Sequence, residues 1–357
     1  MFSKSLYLPR VWAGTQLSSR FLPSTIRPLS AHVKLTENCQ AKCISCDYWK
    51  SRWHDAIDTE TAVDLLNQIG SLGISTLRLT GGEPLLRKDL FEILEKAVTA
   101  RFKQIIIQTN GLALKKLHKQ VNASPITNVA VSIDGLRDTN DNIRGIRGYF
   151  DLALEGIRLL QGKHISLSIT LNRLSAHEME ELGRIASGLG AQLEFNILSR
   201  SLYFLQNADL ASMWPERGQV PYIASFVNRH RPAYEADYIS RYYSQESISE
   251  PPCVLGYLQV FVLSNGDVLT GCYPLKPVGN VLQQSLESIL ASDGYIEQCR
   301  AMLRRECPGC TCGVESSLAM QHAGASAFFE IGRLIKGSPK PMHVRDHEGP
   351  PVKSAAG

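Results

Sequence analysis

Between Thr59 and Leu198 the apolar residues follow two alternating periods. In "TETAVDLLNQIGSLG" they fall at Ala62, Leu65, Leu66, Ile69 and Leu72, the spacing of one helix face, and the segment closes on Gly73. "ISTLRLT" (74–80) follows and reads as a strand. The pair recurs as "DLFEILEKAVTARF" before "QIIIQT", then "NVAVSI" as a further strand, "YFDLALEGIRLLQG" before "HISLSITL", and "AHEMEELGRIASGLG" before "QLEFNIL". Strands alternating with helices at this spacing predict a parallel sheet with right-handed crossovers. About six such units up to residue 198 predict an α/β fold, a partial or complete TIM-type β/α barrel.

Residues 199–250 break the rhythm. They are rich in Tyr, Arg and Ser, carry Pro215, Pro221 and Pro232, and read as a connecting segment with one or two helices. "GYLQVFVLSNGDVLTGCYP" (256–274) predicts two strands turning at Asn265-Gly266. "LQQSLESILAS" predicts a helix, and "CPGCTCG" (307–313) a tight cysteine-bearing turn. The expected organisation is a basic N-terminal arm (1–30), a barrel (31–198), the connecting segment, a small hairpin-plus-helix domain (251–336) and a disordered tail (337–357) rich in Pro, Lys, Gly and His.

With 357 residues, 44% hydrophobic and 20% charged, the chain can bury a large core. A net charge of +4 does not point to nucleic acid, and no apolar run approaches the ~20 residues of a membrane span. The first 36 residues hold Lys4, Arg10, Arg20, Arg27 and Lys34 with no acid, which is compatible with an organelle transit peptide. A basic arm packed on the domain explains them without targeting, and the expected location is cytoplasmic. Nine cysteines, mostly in two groups, do not resemble a disulfide framework, so metal ligation is the stronger reading.

In parallel barrels, chemistry collects in the loops at the carboxyl ends of the strands. Those ends here read "TGGEP" (80–84), "TNG" (109–111), "SIDG" (132–135), "TLN" (170–172) and "FNI" (195–197). Upstream of them, Cys39, Cys43 and Cys46 crowd one short loop. Three thiolates can hold three irons of a cubic cluster and leave the fourth open to a ligand. A lone triplet fits four-coordinate structural zinc poorly, and ordinary buried thiols are the plain alternative.

Cys39, Cys43 and Cys46 in CxxxCxxC spacing, followed at the next strand end by Gly81, Gly82, Glu83 and Pro84, resemble the radical S-adenosylmethionine (radical SAM) superfamily. The resemblance covers roughly residues 31–198. It implies a 4Fe-4S cluster whose open iron chelates S-adenosylmethionine (SAM), and one-electron cleavage of the sulfonium bond to a 5′-deoxyadenosyl radical that abstracts a substrate hydrogen. It assigns the Gly81–Pro84 strand end to the methionyl ammonium group. It also places Tyr48 against the adenine, Ser132 and Asp134 toward the ribose or carboxylate, and Arg144 as a cationic contact, with Asn110 and Asn172 as further polar contacts. Each of these polar residues could equally cap a helix or satisfy a loop.

Cys253, Cys272, Cys307 and Cys310, with Cys312 an alternative to Cys310, resemble the SPASM or twitch extension of a subset of that superfamily. Five cysteines are too few for two further clusters, so the resemblance implies one auxiliary 4Fe-4S cluster, although the same thiols would permit zinc. Cys299, in "IEQCRAMLRR", reads as a buried side chain. The expected protein is a radical SAM oxidoreductase served by a flavodoxin- or ferredoxin-type donor. The short stretch before the cluster loop favours a biosynthetic small molecule over a ribosomally made peptide as substrate. A structural zinc-binding interaction protein is the reading from another class.

Overall fold

A computed structural model describes residues 7–17, 22–23, 25–46, 48–50, 55–97, 102–198, 210–246, 252–272, 275–306 and 317–319. After helix α1 (Tyr7–Gln16), the first strand β1 (Ser30–Thr36) opens a run of alternating elements. These are α2 (Thr59–Ser71), β2 (Thr76–Gly81), α3 (Leu90–Lys96), β3 (Gln104–Thr109), α4 (Leu114–Ala123), β4 (Asn128–Ser132), α5 (Arg137–Arg144), α6 (Tyr149–Arg158), β5 (His164–Leu171), α7 (Met179–Gly188) and β6 (Gln192–Ile197). The helices α8 (Leu210–Met213), α9 (Val220–His230) and α10 (Ala233–Tyr243) fill the described part of the connecting segment. The chain continues through α11 (Leu255–Leu258), β7 (Gln259–Val262), β8 (Asp267–Leu269), β9 (Gly279–Asn280), α12 (Leu286–Ala291) and α13 (Asp293–Leu303).

The strands form one sheet in the order β6-β5-β4-β3-β2-β1-β7-β8-β9. Each of the first six pairs in parallel with its sequence neighbour, as the strand–helix alternation requires. One face is apolar. Val33, Leu77, Leu79, Ile107, Val129, Val131 and Leu167 pack there with α2 residues Ala62, Leu65, Leu66 and Ile69 in the main core. These are four of the five stripe positions read from the sequence, the fifth, Leu72, being the C-cap, and Asp58 caps the other end by accepting from Thr61 N at 2.8 Å.

Two differences from the sequence reading have plain causes. Helices α4 and α5 were not legible, because each buries few apolar side chains: Leu114 and Val121 in one, Ile143 in the other. The C-terminal hairpin is not a separate sheet. Its first strand, β7, pairs in parallel with β1, and residues 256–258, expected as strand, belong to the short helix α11. Val260 and Val262 thereby continue the apolar face of the barrel sheet.

The N-terminal arm packs on this C-terminal part. Val11 is buried, Tyr7 Oη donates to Tyr257 O at 2.8 Å, and Arg27 N donates to Tyr7 Oη at 3.1 Å. No described helix is long and apolar enough to cross a membrane. The expected tail at 337–357 lies outside the described residues.

Candidate functional site

The cysteine loop leaves the carboxyl end of β1 and is fastened from three directions. Gly82 N donates to Thr36 O and Glu83 N to Asn38 O, both at 2.7 Å, tying it to the β2 end. Lys42 N donates to Arg144 O (3.1 Å) and Ile44 N to Ile143 O (2.9 Å), tying it to the last turn of α5. On the third side Asp55 accepts from Thr36 Oγ1 (2.5 Å) and Glu37 N (2.8 Å). Glu37 in turn accepts from buried Lys34 (2.8 Å) and from Ser264 of the β7–β8 turn (3.1 Å).

This fastening explains the glycine pair. Gly81 has φ +142°, and a Cβ there would lie 2.2 Å from Thr36 O; one on Gly82 would lie 2.3 Å from Asn38 O. Only glycine lets the two strand ends approach so closely. The pair is required by the backbone of the cysteine loop itself.

Glu83 is fully buried and works as a clamp. Its Oε1 accepts from Thr109 Oγ1 (2.7 Å) and Leu85 N (3.0 Å), and its Oε2 from Asn110 N (2.6 Å). Burial pushes its carboxyl up to about 7 despite these donors. Pro84 begins the short 3-10 turn that follows. The clamp sets Asn110, whose Oδ1 accepts from Leu112 N at 3.0 Å while Nδ2 lies 3.9 Å from the Cys39 sulfur.

Arg144 approaches the loop from α5. Its Nη1 lies 3.8 Å from Cys43 Sγ, its Nη2 lies 2.7 Å from Asp134 Oδ2, and its guanidinium stands over the Tyr149 ring at 5.9 Å. Asp134 is buried, with Oδ1 accepting from Thr170 N at 2.7 Å. Its carboxylate is therefore directed at Arg144 and the backbone. Asn172 is also buried and uses every hydrogen-bonding position internally: Nδ2 donates to Thr170 O, Ser175 Oγ and more weakly Asp134 O, and Oδ1 accepts from Leu174 N and Ser175 N. These bonds close the loop that follows β5. Ser132 ends β4 half-buried, its carbonyl accepting from Tyr149 Oη at 3.1 Å. Tyr48 opens a 3-10 turn at 48–50, and its side chain lies outside the described residues.

Burial pushes the Cys39 thiol up to about 11, opposed by Asn110, and burial likewise raises Cys43, opposed by Arg144. Neither forms a disulfide. Thiols held neutral by desolvation but each met by an N–H donor suit a bound metal, which would take the proton's place. Gln40 Oε1 and Arg144 Nε, at the same loop, are buried with no hydrogen-bond partner among the described residues, which leaves polar capacity for a ligand. Among those residues no three Cys, His, Asp or Glu side chains converge as they would on a single ion. A cubic cluster asks instead for thiolates around separate corners.

Of the second cysteine group, Cys272 follows β8 and packs with Leu255 and Met302, with Cys253 against them. Cys307, Cys310 and Cys312 lie outside the described residues. Cys299 is fully buried in the main core on α13, as its sequence context implies.

The sequence model of the radical SAM superfamily matches residues 33–185, and that of SPASM, an iron–sulfur cluster-binding domain, matches residues 253–312. The chain carries a radical SAM domain followed by a SPASM domain. Its cofactors are those of the family, a 4Fe-4S cluster and SAM, and its SPASM region is an iron–sulfur region. Fe-coproporphyrin III synthase of Methanosarcina barkeri is 33% identical over 175 residues, 45% of this chain and 43% of that protein. Sporulation killing factor maturation protein SkfB of Bacillus subtilis is 23% identical over 80% of this chain and 69% of its own length. The crystal structure of Streptococcus suis SuiB bound to S-adenosylmethionine superposes with a TM-score of 0.61 at 18% identity, covering 77% of this chain and 68% of SuiB. This radical SAM chain thus spans less than half the length of the synthase it matches, while sharing the fold of SuiB.

Thr109, Asp55, Lys34 and Ser264 organise the site without having been singled out in the sequence. A lysine inside the apolar strand "HVKLT" was the one available signal.

Proposed function

We propose that the chain is a radical SAM oxidoreductase acting on a biosynthetic small molecule, with a tetrapyrrole as the first candidate. The observation that carries this reading is the cysteine loop at the end of β1, pinned by Gly82 and Glu83, with side-chain N–H groups of Asn110 and Arg144 directed at Cys39 and Cys43. Cys39, Cys43 and Cys46 would hold the cluster. Cluster and SAM together supply a 5′-deoxyadenosyl radical that removes a hydrogen atom from the substrate. The protein's part is to hold the thiols in register, to shield them, and to present the strand-end groups of Gly81 to Pro84, Asn110 and Ser132 to SAM. Tyr48 is assigned to the adenine. Asp134 acts through Arg144 as its buried counter-ion, and Asn172 by closing the turn after the β5 end, where Thr170 N donates to Asp134.

Cys253 and Cys272, with Cys307 and Cys310 or Cys312, are assigned to one auxiliary 4Fe-4S cluster. That cluster would accept an electron from the substrate or bind it. A flavodoxin- or ferredoxin-type donor and a reducing, cytoplasmic setting fit both thiol groups. The tetrapyrrole assignment draws on the names of relatives at 31–33% identity: Fe-coproporphyrin III synthase, AdoMet-dependent heme synthase and Pre-heme d1 synthase. A peptide is the second reading, favoured by the match to SkfB over 80% of the chain.

The test is anaerobic reconstitution, reduction with dithionite, and quantitation of 5′-deoxyadenosine and methionine from SAM. Formation of both by the native chain, and by neither a Cys39→Ala, Cys43→Ala, Cys46→Ala variant nor a reaction without reductant, supports the reading. Absence of 5′-deoxyadenosine from a fully loaded native chain would overturn it.

A further inference from the structure

Parallel strands buried on both faces read as nearly continuous apolar runs, and the interior of a closed β/α barrel is filled by layers of branched aliphatic side chains. The strands here do otherwise. Leu77 and Leu79 of β2, Val129 and Val131 of β4, and Leu167 and Ile169 of β5 face the helices in the main core. Their alternates, pointing to the inner face, include Arg78, Gln108, Ser166, Ser168, Glu194 and Asn196.

These inner side chains meet across the lumen. Arg78 of β2 has Nη1 3.7 Å from Glu194 Oε2 of β6, four positions away in the sheet order, so the sheet curls far enough for its inner face to enclose a chamber. Arg78 Nη1 donates to Gln108 Oε1 at 2.8 Å, and Ser166 Oγ donates to Glu194 Oε1 at 2.8 Å. At 3.7 Å the Arg78–Glu194 contact is too long for a hydrogen bond. Both side chains keep access to solvent, 25% for Arg78 and 39% for Glu194. The Nε and Nη2 groups of Arg78 have no hydrogen-bond partner among the described residues. A guanidinium with two adjacent donors open in a concave polar chamber matches the two oxygens of a carboxylate.

We infer that Arg78 is a specificity-determining residue that receives a carboxylate of the small-molecule substrate in the barrel lumen, with Glu194 as the internal competitor that the substrate carboxylate displaces. The inference rests on the proposed function above and adds the chemistry by which the substrate is recognised. Gln108, held by the same Nη1, fixes the plane of the guanidinium, and it sits two residues before Asn110, so the bound carboxylate lies on the side of the lumen that leads to the cysteine loop. Glu194 rejects the substrate when its acid is esterified, because the ester leaves the Arg78–Glu194 pair in place.

The test uses the reconstituted full chain and coproporphyrin III, a tetracarboxylic tetrapyrrole, with binding followed by the shift of its absorption band and the quenching of its fluorescence. Native protein is expected to bind the free acid at least 10-fold more tightly than its tetramethyl ester, a comparison that needs no variant. Arg78→Met should weaken the free acid at least 10-fold and leave the ester unchanged, while Glu194→Gln should tighten the free acid several-fold. Iron content and urea midpoint matching the native chain establish that each variant is folded. No binding of the free acid to native protein, equal binding of acid and ester, or an Arg78→Met variant that binds like the native chain each overturns the inference. Failure of the broader reading is separate, since it would be seen as native protein that makes no 5′-deoxyadenosine from SAM whatever it binds.

Discussion

The two thiol groups of this chain are built on opposite plans. Cys39, Cys43 and Cys46 sit in one loop whose backbone is bonded to the β2 end, to α5 and, through Asp55 and Glu37, to the β7–β8 turn. Cys253 and Cys272 flank the short helix and hairpin that extend the same sheet past β1, and their remaining expected partners are far along the chain. The first loop is fastened by bonds to elements already in place, so a metal there has only to replace the protons that burial keeps on Cys39 and Cys43. A second site built on Cys253, Cys272 and the 307–312 cysteines would draw its ligands from both sides of β9, α12 and α13, so there the metal itself would have more of the chain to organise.

The sharpest way to break this comparison is to count metal. Anaerobically reconstituted native chain should hold roughly eight irons, and the Cys39→Ala, Cys43→Ala, Cys46→Ala variant roughly four, since each cubic cluster carries four. A Cys253→Ala, Cys272→Ala variant should also fall to roughly four, but with a larger loss of thermal stability in its C-terminal part. Zinc in place of iron at the second site, measured by elemental analysis, would remove the auxiliary cluster from the scheme.

Next in size is the buried pair that steadies the first loop. Arg144→Met leaves the Asp134 carboxylate, 1% exposed, without its counter-ion. Loss of one partner of such a pair costs about 3–5 kcal/mol, so the urea midpoint of the metal-free chain should drop accordingly. Arg144→Lys should recover part of it. An Arg144→Met protein of unchanged stability would mean that the pair is solvated in a way its burial contradicts.

Most of this architecture was legible in the sequence, and the parts that were not share a cause. The α2 stripe, the six parallel strands and the cysteine loop all follow from periodicity and spacing of residues that do one thing each. The hydrogen bonds of Glu83 and Asn172 were not legible, because partners 26 and 27 residues away, or inside a tight turn, leave no periodic trace. The polar inner face was visible as alternation in "TLRLT" and "LEFNI", yet its meaning depended on knowing that Arg78 and Glu194 face each other across the lumen.

Glu83 also gives the clamp a pH signature. Its carboxyl is held at about 7 when folded against an ordinary 4.5, so the folded chain binds that proton more tightly than the unfolded chain. The stability it contributes is complete below about pH 4.5 and is lost as pH rises toward 7, a difference on the order of 3 kcal/mol. Urea titrations of metal-free protein at pH 5 and pH 8 should record that decline, and Glu83→Gln should flatten it. The same substitution should destabilise the chain most at pH 5 and least at pH 8, because the native chain loses its proton-linked stability over that range while the new amide points a donor at a donor, Asn110 N, at both.

The smallest effect is the most informative about how the strand ends serve the first site. Asn110 Nδ2 approaches the Cys39 sulfur at 3.9 Å, a weak contact that contributes little to folding. A donor directed at a cluster sulfur favours the more negative, reduced state, so removing it should shift the reduction potential downward. Asn110→Ala should therefore keep its iron and lose about 1 kcal/mol of stability or less, since the Leu112 N–H that loses its acceptor is only part-buried. A redox titration followed by electron paramagnetic resonance should place its first-site potential below that of the native chain. An Asn110→Ala chain with native potential would assign Asn110 to the loop alone, and the electrostatic setting of the first site would then fall to Arg144 at Cys43.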